Sequence, residues 1–190
     1  MLKLRGIGKM STFAGFCWRH DNEIFEPIDT QPLQPTVEQA ALYAHRSLCR
    51  EFFVYKNAPA LAELWSKEQP FTFFAAVKTG RSLGFESLKR HKVKFVVSLK
   101  ERAFSDDEYV LMLSHQKPTV VFSGVLYPHF DFLGRRLQTL DDVQANLDLN
   151  TICSAAMKED WGFLFAWHKS SGGTFREFMG SLAHTFPRAE

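Results

Sequence analysis

Between Val37 and Tyr55 the apolar residues Val37, Ala41, Ala44, Leu48, Phe52 and Tyr55 recur every three or four positions, which is one stripe along a helix. Pro35 stands just before it, and Thr36 with Gln39 three residues on makes a capping box. Asn57, followed by Pro59, caps a second helix to about Lys67, and Pro70 ends it. Phe71 to Val77 predicts one or two further helical turns, interrupted by Gly80 and Gly84. Phe85 to Phe104 predicts a long helix with a basic face at Lys89, Arg90, Lys92 and Lys94. Upstream of all this, residues 1–35 read as irregular structure with short extended pieces. Pro27, Pro32 and Pro35 resist both helix and central strand.

The period changes near Ser105. Tyr109–Ser114, Thr119–Leu126, Asn146–Ala155 and Trp161–Trp167 are short β-branched or aromatic-rich runs divided by Pro, Gly and Asp. Asn146-Leu-Asp-Leu-Asn-Thr-Ile152 alternates polar and apolar residues as a half-buried strand does. A closing helix is expected from Thr174 to about His184, with Phe175, Phe178, Met179 and Leu182 on one face. Helices, then strands, then a helix is an α+β order. Connections as short as Lys158-Glu-Asp160 favour an antiparallel meander of about four strands. No linker interrupts the chain, so residues 1–190 read as a single domain: an irregular opening over 1–35, a helical part over 36–104, and a sheet plus final helix over 105–190.

Composition adds one bias. Nineteen phenylalanines lie among the 190 residues, so ring packing should dominate the core and leave some rings for a contact surface. A net charge of +2 lacks the strong excess of a dedicated nucleic-acid domain. Local basic clusters stand at Lys3, Arg5 and Lys9, at Lys89, Arg90, Lys92 and Lys94, and at Arg135 and Arg136; each reads first as a solvated face or loop, and the last two are the positions through which nucleic acid would bind if it binds at all. Three cysteines, odd in number and far apart, point to reduced thiols in a cytoplasm. Neither a signal-peptide pattern nor a membrane-length apolar run is present.

Three stretches carry a family resemblance together. The first is Ser11-Thr-Phe-Ala-Gly-Phe-Cys-Trp-Arg-His-Asp21, continuing to Phe25-Glu-Pro-Ile-Asp29; the second is Arg46-Ser-Leu-Cys-Arg-Glu51. The third runs from Val121-Phe-Ser-Gly124 through Pro128-His-Phe-Asp-Phe-Leu-Gly134 to Leu137 and Gln138. From about Gly6 to Leu182 the chain resembles a family of uncharacterised bacterial proteins scattered through accessory genomes. The resemblance implies that longer members carry an upstream segment with metal-ligand-like Cys and His residues and a further C-terminal stretch. By the same resemblance this chain looks like a shortened member that lost the chemistry of that upstream segment.

Cys17-Trp-Arg-His20 has Cys-x-x-His spacing, and His45 and Cys49, four apart on one helix face, would complete a Cys₂His₂ zinc set. Against that, Cys49 beside Leu48 also suits a small buried hydrophobe. His20-Asp21 invites comparison with His-Asp phosphohydrolases, but no His precedes His20 and the surroundings read as turn. His129 and Asp131, with Ser123, could form an acid–base group; the Pro128–Gly134 stretch reads instead as a structured turn. Gly172-Gly173 precedes a helix without a lysine at phosphate-loop spacing. Arg46 and Glu51 flank the apolar stripe and are expected to have structural partners. The resulting expectation is a cytoplasmic, non-enzymatic binding protein of a bacterial or phage accessory genome, acting by protein–protein contact in phage–host conflict, without a cofactor. The alternative is a metal-dependent nuclease-like enzyme, or its remnant, with zinc at Cys17, His20, His45 and Cys49.

Overall fold

The stripe that begins at Val37 forms the central helix of the protein. A computed structural model describes residues 18–57, 71–140, 142 and 145–185. Its elements are helix α1 (Trp18–Asp29), α2 (Val37–Asn57), α3 (Phe71–Glu101), strands β1 (Asp107–Ser114), β2 (Ser123–Leu126), β3 (Asn150–Ala156) and β4 (Trp161–His168), a 3₁₀ turn (Lys169–Ser171) and α4 (Gly172–Thr185). The four strands make one antiparallel sheet in the order β1-β4-β3-β2. The α+β class, helical first part and closing helix are as the periodicity predicts.

Three local readings change. Residues within the supposed irregular opening form α1, which contains Pro27. Phe25 and Ile28, three apart, are buried against Leu42 of α2, and that packing outweighs a proline placed in the last turn. Helix α3 is continuous across Gly80 and Gly84. A Cβ at Gly84 would lie 2.9 Å from Cε1 of Tyr55, so this glycine lets α2 and α3 approach instead of breaking the helix. The second and third strands start late, at Ser123 and Asn150 instead of Thr119 and Asn146. The helix expected from Asn57 to Lys67 lies outside the described residues.

The start of α2 keeps half of its capping box. Thr36 Oγ1 accepts from the Gln39 N–H at 3.2 Å, but the Gln39 side chain reaches to the Gln34 N–H at 2.7 Å. The stripe then buries Ala41, Ala44 and Leu48 against Leu88 and Phe95 of α3 and against Cys153, Ala155, Leu164 and Ala166 of the sheet. The opposite sheet face buries Phe165 and Trp167 beneath Phe175, Phe178, Met179 and Leu182 of α4. Thus helices α2 and α3, the sheet, and α4 form three layers.

Coverage of the α4 side is incomplete. Phe122, Ser154, Phe163 and Met112 form one row across that face, since Met112 pairs with Phe163, Phe163 with Ser154, and the Ser154 N–H donates to the Phe122 carbonyl at 3.0 Å. Phe122 and Met112 at the ends of this row remain exposed.

Candidate functional site

Of the four residues proposed as zinc ligands, the structure places two together. His45 and Cys49 lie one turn apart on α2, both buried, with Sγ 3.5 Å from Nε2. Burial, opposed by nearby Lys92, pushes the Cys49 thiol up to about 11. Burial and the same lysine lower His45 to about 4. A neutral thiol therefore faces a neutral imidazole at physiological pH. Cys17 lies outside the described residues, and His20 is on α1, in a helix instead of the expected turn. Among the described residues no three His, Cys, Asp or Glu side chains are grouped to hold a metal.

The basic residues are held by different neighbours. Lys92 sits over the Phe52 ring at 4.8 Å, and Lys94 donates to Ser170 Oγ at 2.6 Å. Arg135 pairs with Asp131 at 2.7 Å, and Arg136 sits over the Phe130 ring at 5.9 Å. Lys89 lies 3.9 Å from Glu86 one turn before it, and Arg90 is exposed on the same helix.

Asp131 organises the Pro128–Gly134 turn. Its carboxylate accepts from the N–H groups of Leu133 (2.9 Å) and Arg135 (2.8 Å) and from the Arg135 side chain. Burial pushes this carboxyl up, but those donors prevail and its pKa is lowered. Gly134, at φ +79°, supplies the left-handed residue the turn needs. Ser123 bonds across to Ser47 on α2 (2.7 Å), and the His129 ring stacks on Phe130. The three side chains thus serve separate structural contacts.

Arg46 and Glu51 have the structural partners expected. The Arg46 guanidinium donates to both oxygens of Asp29, one at 3.1 Å, while lying over the Phe25 ring at 4.9 Å. The Glu51 carboxylate accepts from Arg50, which also reaches the Ser123 carbonyl at 3.3 Å. Arg46→Ala should lower stability by about 1 kcal/mol, since the pair is partly exposed and the cation–π contact adds only modestly. Arg46→Lys should recover only part of that, lacking the planar fork. Urea denaturation of the three proteins checks both statements.

A groove the sequence does not announce runs along the outer edge of β1. It encloses about 480 Å³ between Val37 at the start of α2 and Arg176 and Met179 on α4, with Asp107, Tyr109 and Trp167 in its wall. Glu108 is fully engaged: Trp167 Nε1 donates to it at 3.0 Å and the Arg176 guanidinium binds its other oxygen. Asp107 is not. Both carboxylate oxygens are buried without a hydrogen-bond partner among the described residues. Burial pushes the Asp107 carboxyl up to about 6; the Ser98 hydroxyl opposes this and the Asp106 charge adds to it. The Ser98 hydroxyl also lies 3.4 Å from the Lys94 carbonyl. A buried carboxyl with a shifted pKa in a groove wall is a mark of functional sites.

The turn before α4 is held by polar contacts from other elements. Lys94 arrives from α3 to Ser170, whose hydroxyl also lies 2.9 Å from His168 Nδ1. The Ser170 N–H donates to the same nitrogen, so His168 caps the 3₁₀ turn. Thr174 Oγ1 donates to Asp148 at 2.5 Å. These contacts cap and tether the helix start. The acidic run Asp106-Asp107-Glu108 at the head of a strand is the one sequence signal that marks this end of the sheet.

No family model, no curated protein and no solved structure matches this chain.

Proposed function

We propose that this chain is a non-enzymatic binding protein that acts by contact with a partner protein. One observation carries the reading: exposed apolar side chains gathered at one end of the sheet, where β1 ends and β2 begins. Leu113 is 58% exposed, Val120 69% and Val121 62%, beside exposed Met112 and Phe122. Large exposed apolar residues gathered at one end of a fold mark contact sites more often than scattered single residues do. The partner surface that complements it is apolar. The Ser11–Asp21 motif and its companions support a setting in bacterial or phage accessory genomes, with phage–host conflict as the process.

The test is an affinity capture from the native host with the natural chain and with Val120→Asp/Val121→Asp, followed by titration of the purified partner. The natural chain should bind with a negative heat-capacity change and little salt dependence, and the double variant should lose binding at an unchanged unfolding midpoint. Equal binding by both proteins would remove this surface from consideration. A steep fall of affinity with salt would instead favour nucleic acid.

The second reading, the metal-dependent nuclease-like enzyme, would rest on His45 and Cys49, which meet on α2. The neutral buried pair predicts protein that is metal-free when purified without chelator and whose unfolding midpoint a chelator does not move. Zinc at one ion per chain, with a lower midpoint after chelation, would carry the second reading instead.

A further inference from the structure

The register of the sheet fixes which backbone groups of β1 point outward. In an antiparallel pair, residues alternate between those bonded to the neighbouring strand and those turned away from it. The Lys169 N–H donates to the Asp106 carbonyl at 2.7 Å, and Asp107 stands opposite His168. Glu108, Val110 and Met112 are therefore bonded to β4, while Asp107, Tyr109, Leu111 and Leu113 turn their N–H and C=O groups to the free edge. The Asp107 N–H is taken by the Phe104 carbonyl at 3.1 Å. Among the described residues no strand pairs with the outer side of β1, which is an end strand of the sheet.

Side chains along this edge are not uniform. At one end, in the wall of the groove, is the buried Asp107 carboxyl without a hydrogen-bond partner among the described residues; at the other is exposed Leu113. The nearby cation, Arg176, is already bound to Glu108. A buried carboxylate is costly unless a cation or donors meet it.

We propose that β1 accepts an extended segment of a partner protein as a fifth, antiparallel strand, with an Arg or Lys of that segment paired to Asp107. This rests on the protein-contact reading above and specifies the form of the partner. Main-chain bonds to Tyr109, Leu111 and Leu113 supply affinity, and alternate side chains supply specificity. Antiparallel pairing reverses direction, so the partner reads apolar residues first, opposite Leu113, Leu111 and Tyr109, and the cation last, opposite Asp107.

The probe is the fluorescent peptide Val-Thr-Val-Thr-Val-Thr-Arg-Thr, with three companions: Arg replaced by Gln, the sequence reversed, and alternate amides N-methylated. The full chain should bind the first peptide roughly tenfold more tightly than the Gln form. Asp107→Asn should erase that difference while leaving the fold intact. The reversed and N-methylated peptides should bind weakly or not at all. In amide exchange, the peptide should slow Tyr109, Leu111 and Leu113, which exchange freely without it, and leave Glu108, Val110 and Met112 unchanged. Equal affinity for the Arg and Gln peptides overturns the role of Asp107. Indifference to N-methylation, or slow exchange of the three outward amides before peptide is added, overturns strand addition. Slow exchange that grows with protein concentration would identify a second copy of this chain as the occupant. The proposed function is judged separately, by the Val120→Asp/Val121→Asp capture, which leaves β1 untouched, so either can fail alone.

Discussion

Acidification from pH 6.5 to 4 is expected to destabilise the fold by about 4 kcal/mol net, with two buried histidines responsible. His45 and His91 are almost fully buried, and burial lowers both from 6.5 to about 4. For His91 the bond from Nε2 to the Leu147 carbonyl (3.0 Å) opposes the shift without cancelling it. Between these pH values the unfolded chain binds protons that the native one refuses, so unfolding becomes easier as pH falls. Each histidine contributes a slope of about 1.4 kcal/mol per pH unit: fully stabilising above 6.5, and lost by about pH 4.

Asp107 works in the opposite direction. Its folded pKa of about 6 lies above the ordinary 3.8, so over that range the native state binds more protons than the unfolded one. Its protonation returns about 3 kcal/mol against the roughly 7 kcal/mol the histidines lose. The carboxyls of Glu108 and Asp131, both lowered, add to acid sensitivity only below their ordinary range. Urea denaturation at pH 7, 6, 5 and 4.5 measures the slope. His91→Gln should flatten it by about 1.4 kcal/mol per unit, and Asp107→Asn should steepen it. A stability that is level across this range would sink the assignment.

Phe175→Ala is expected to cost about 3–5 kcal/mol. This ring is fully buried, 5.7 Å from the Trp167 ring and edge-on to Phe178 at 6.5 Å, and it holds α4 to the sheet. Phe95→Ala should cost a similar amount on the other side, where α3 packs on α2. The two rings belong to separate clusters on opposite faces of the sheet, so the losses should add to within about 0.5 kcal/mol. The double variant would then consume most of the 5–15 kcal/mol of a typical domain and be largely unfolded at 37 °C. Chemical denaturation of the single variants, and circular dichroism of the double, report these outcomes. A strongly sub-additive pair would mean the two clusters share one packing unit.

What could be read from the sequence is what short-range pattern encodes. The stripe from Val37 to Leu48 and the face of Phe175, Phe178, Met179 and Leu182 are one-dimensional records of burial, and both helices form where they predict. Helix α1 is hidden because Pro27 and its neighbours speak locally against it, while the packing of Phe25 and Ile28 on Leu42 does not show in local order. Gly80 and Gly84 mislead for the same reason: the need for space beside Tyr55 comes from another helix. His45 and Cys49 meet as helical spacing requires. The groove could not be read at all, because Val37, Asp107, Trp167 and Arg176 come from four elements that only the sheet order brings together.

That sheet order has a consequence for the nascent chain. Strand β1 cannot pair until β4 exists, and the bond from Trp167 to Glu108 spans 59 residues. At roughly 5–20 residues per second of synthesis, β1 waits some 3–12 seconds with Tyr109-Val-Leu-Met-Leu113 unpaired on both edges. Five such residues in a row are the kind of segment that recruits other chains into aggregates. Asp106, Asp107 and Glu108 stand immediately before it, three like charges in the position of gatekeepers. The acidic run that disfavours Asp107 in the finished fold thus protects the chain while it is still being made, and Asp107→Asn, benign to the folded protein, should raise the aggregated fraction during synthesis.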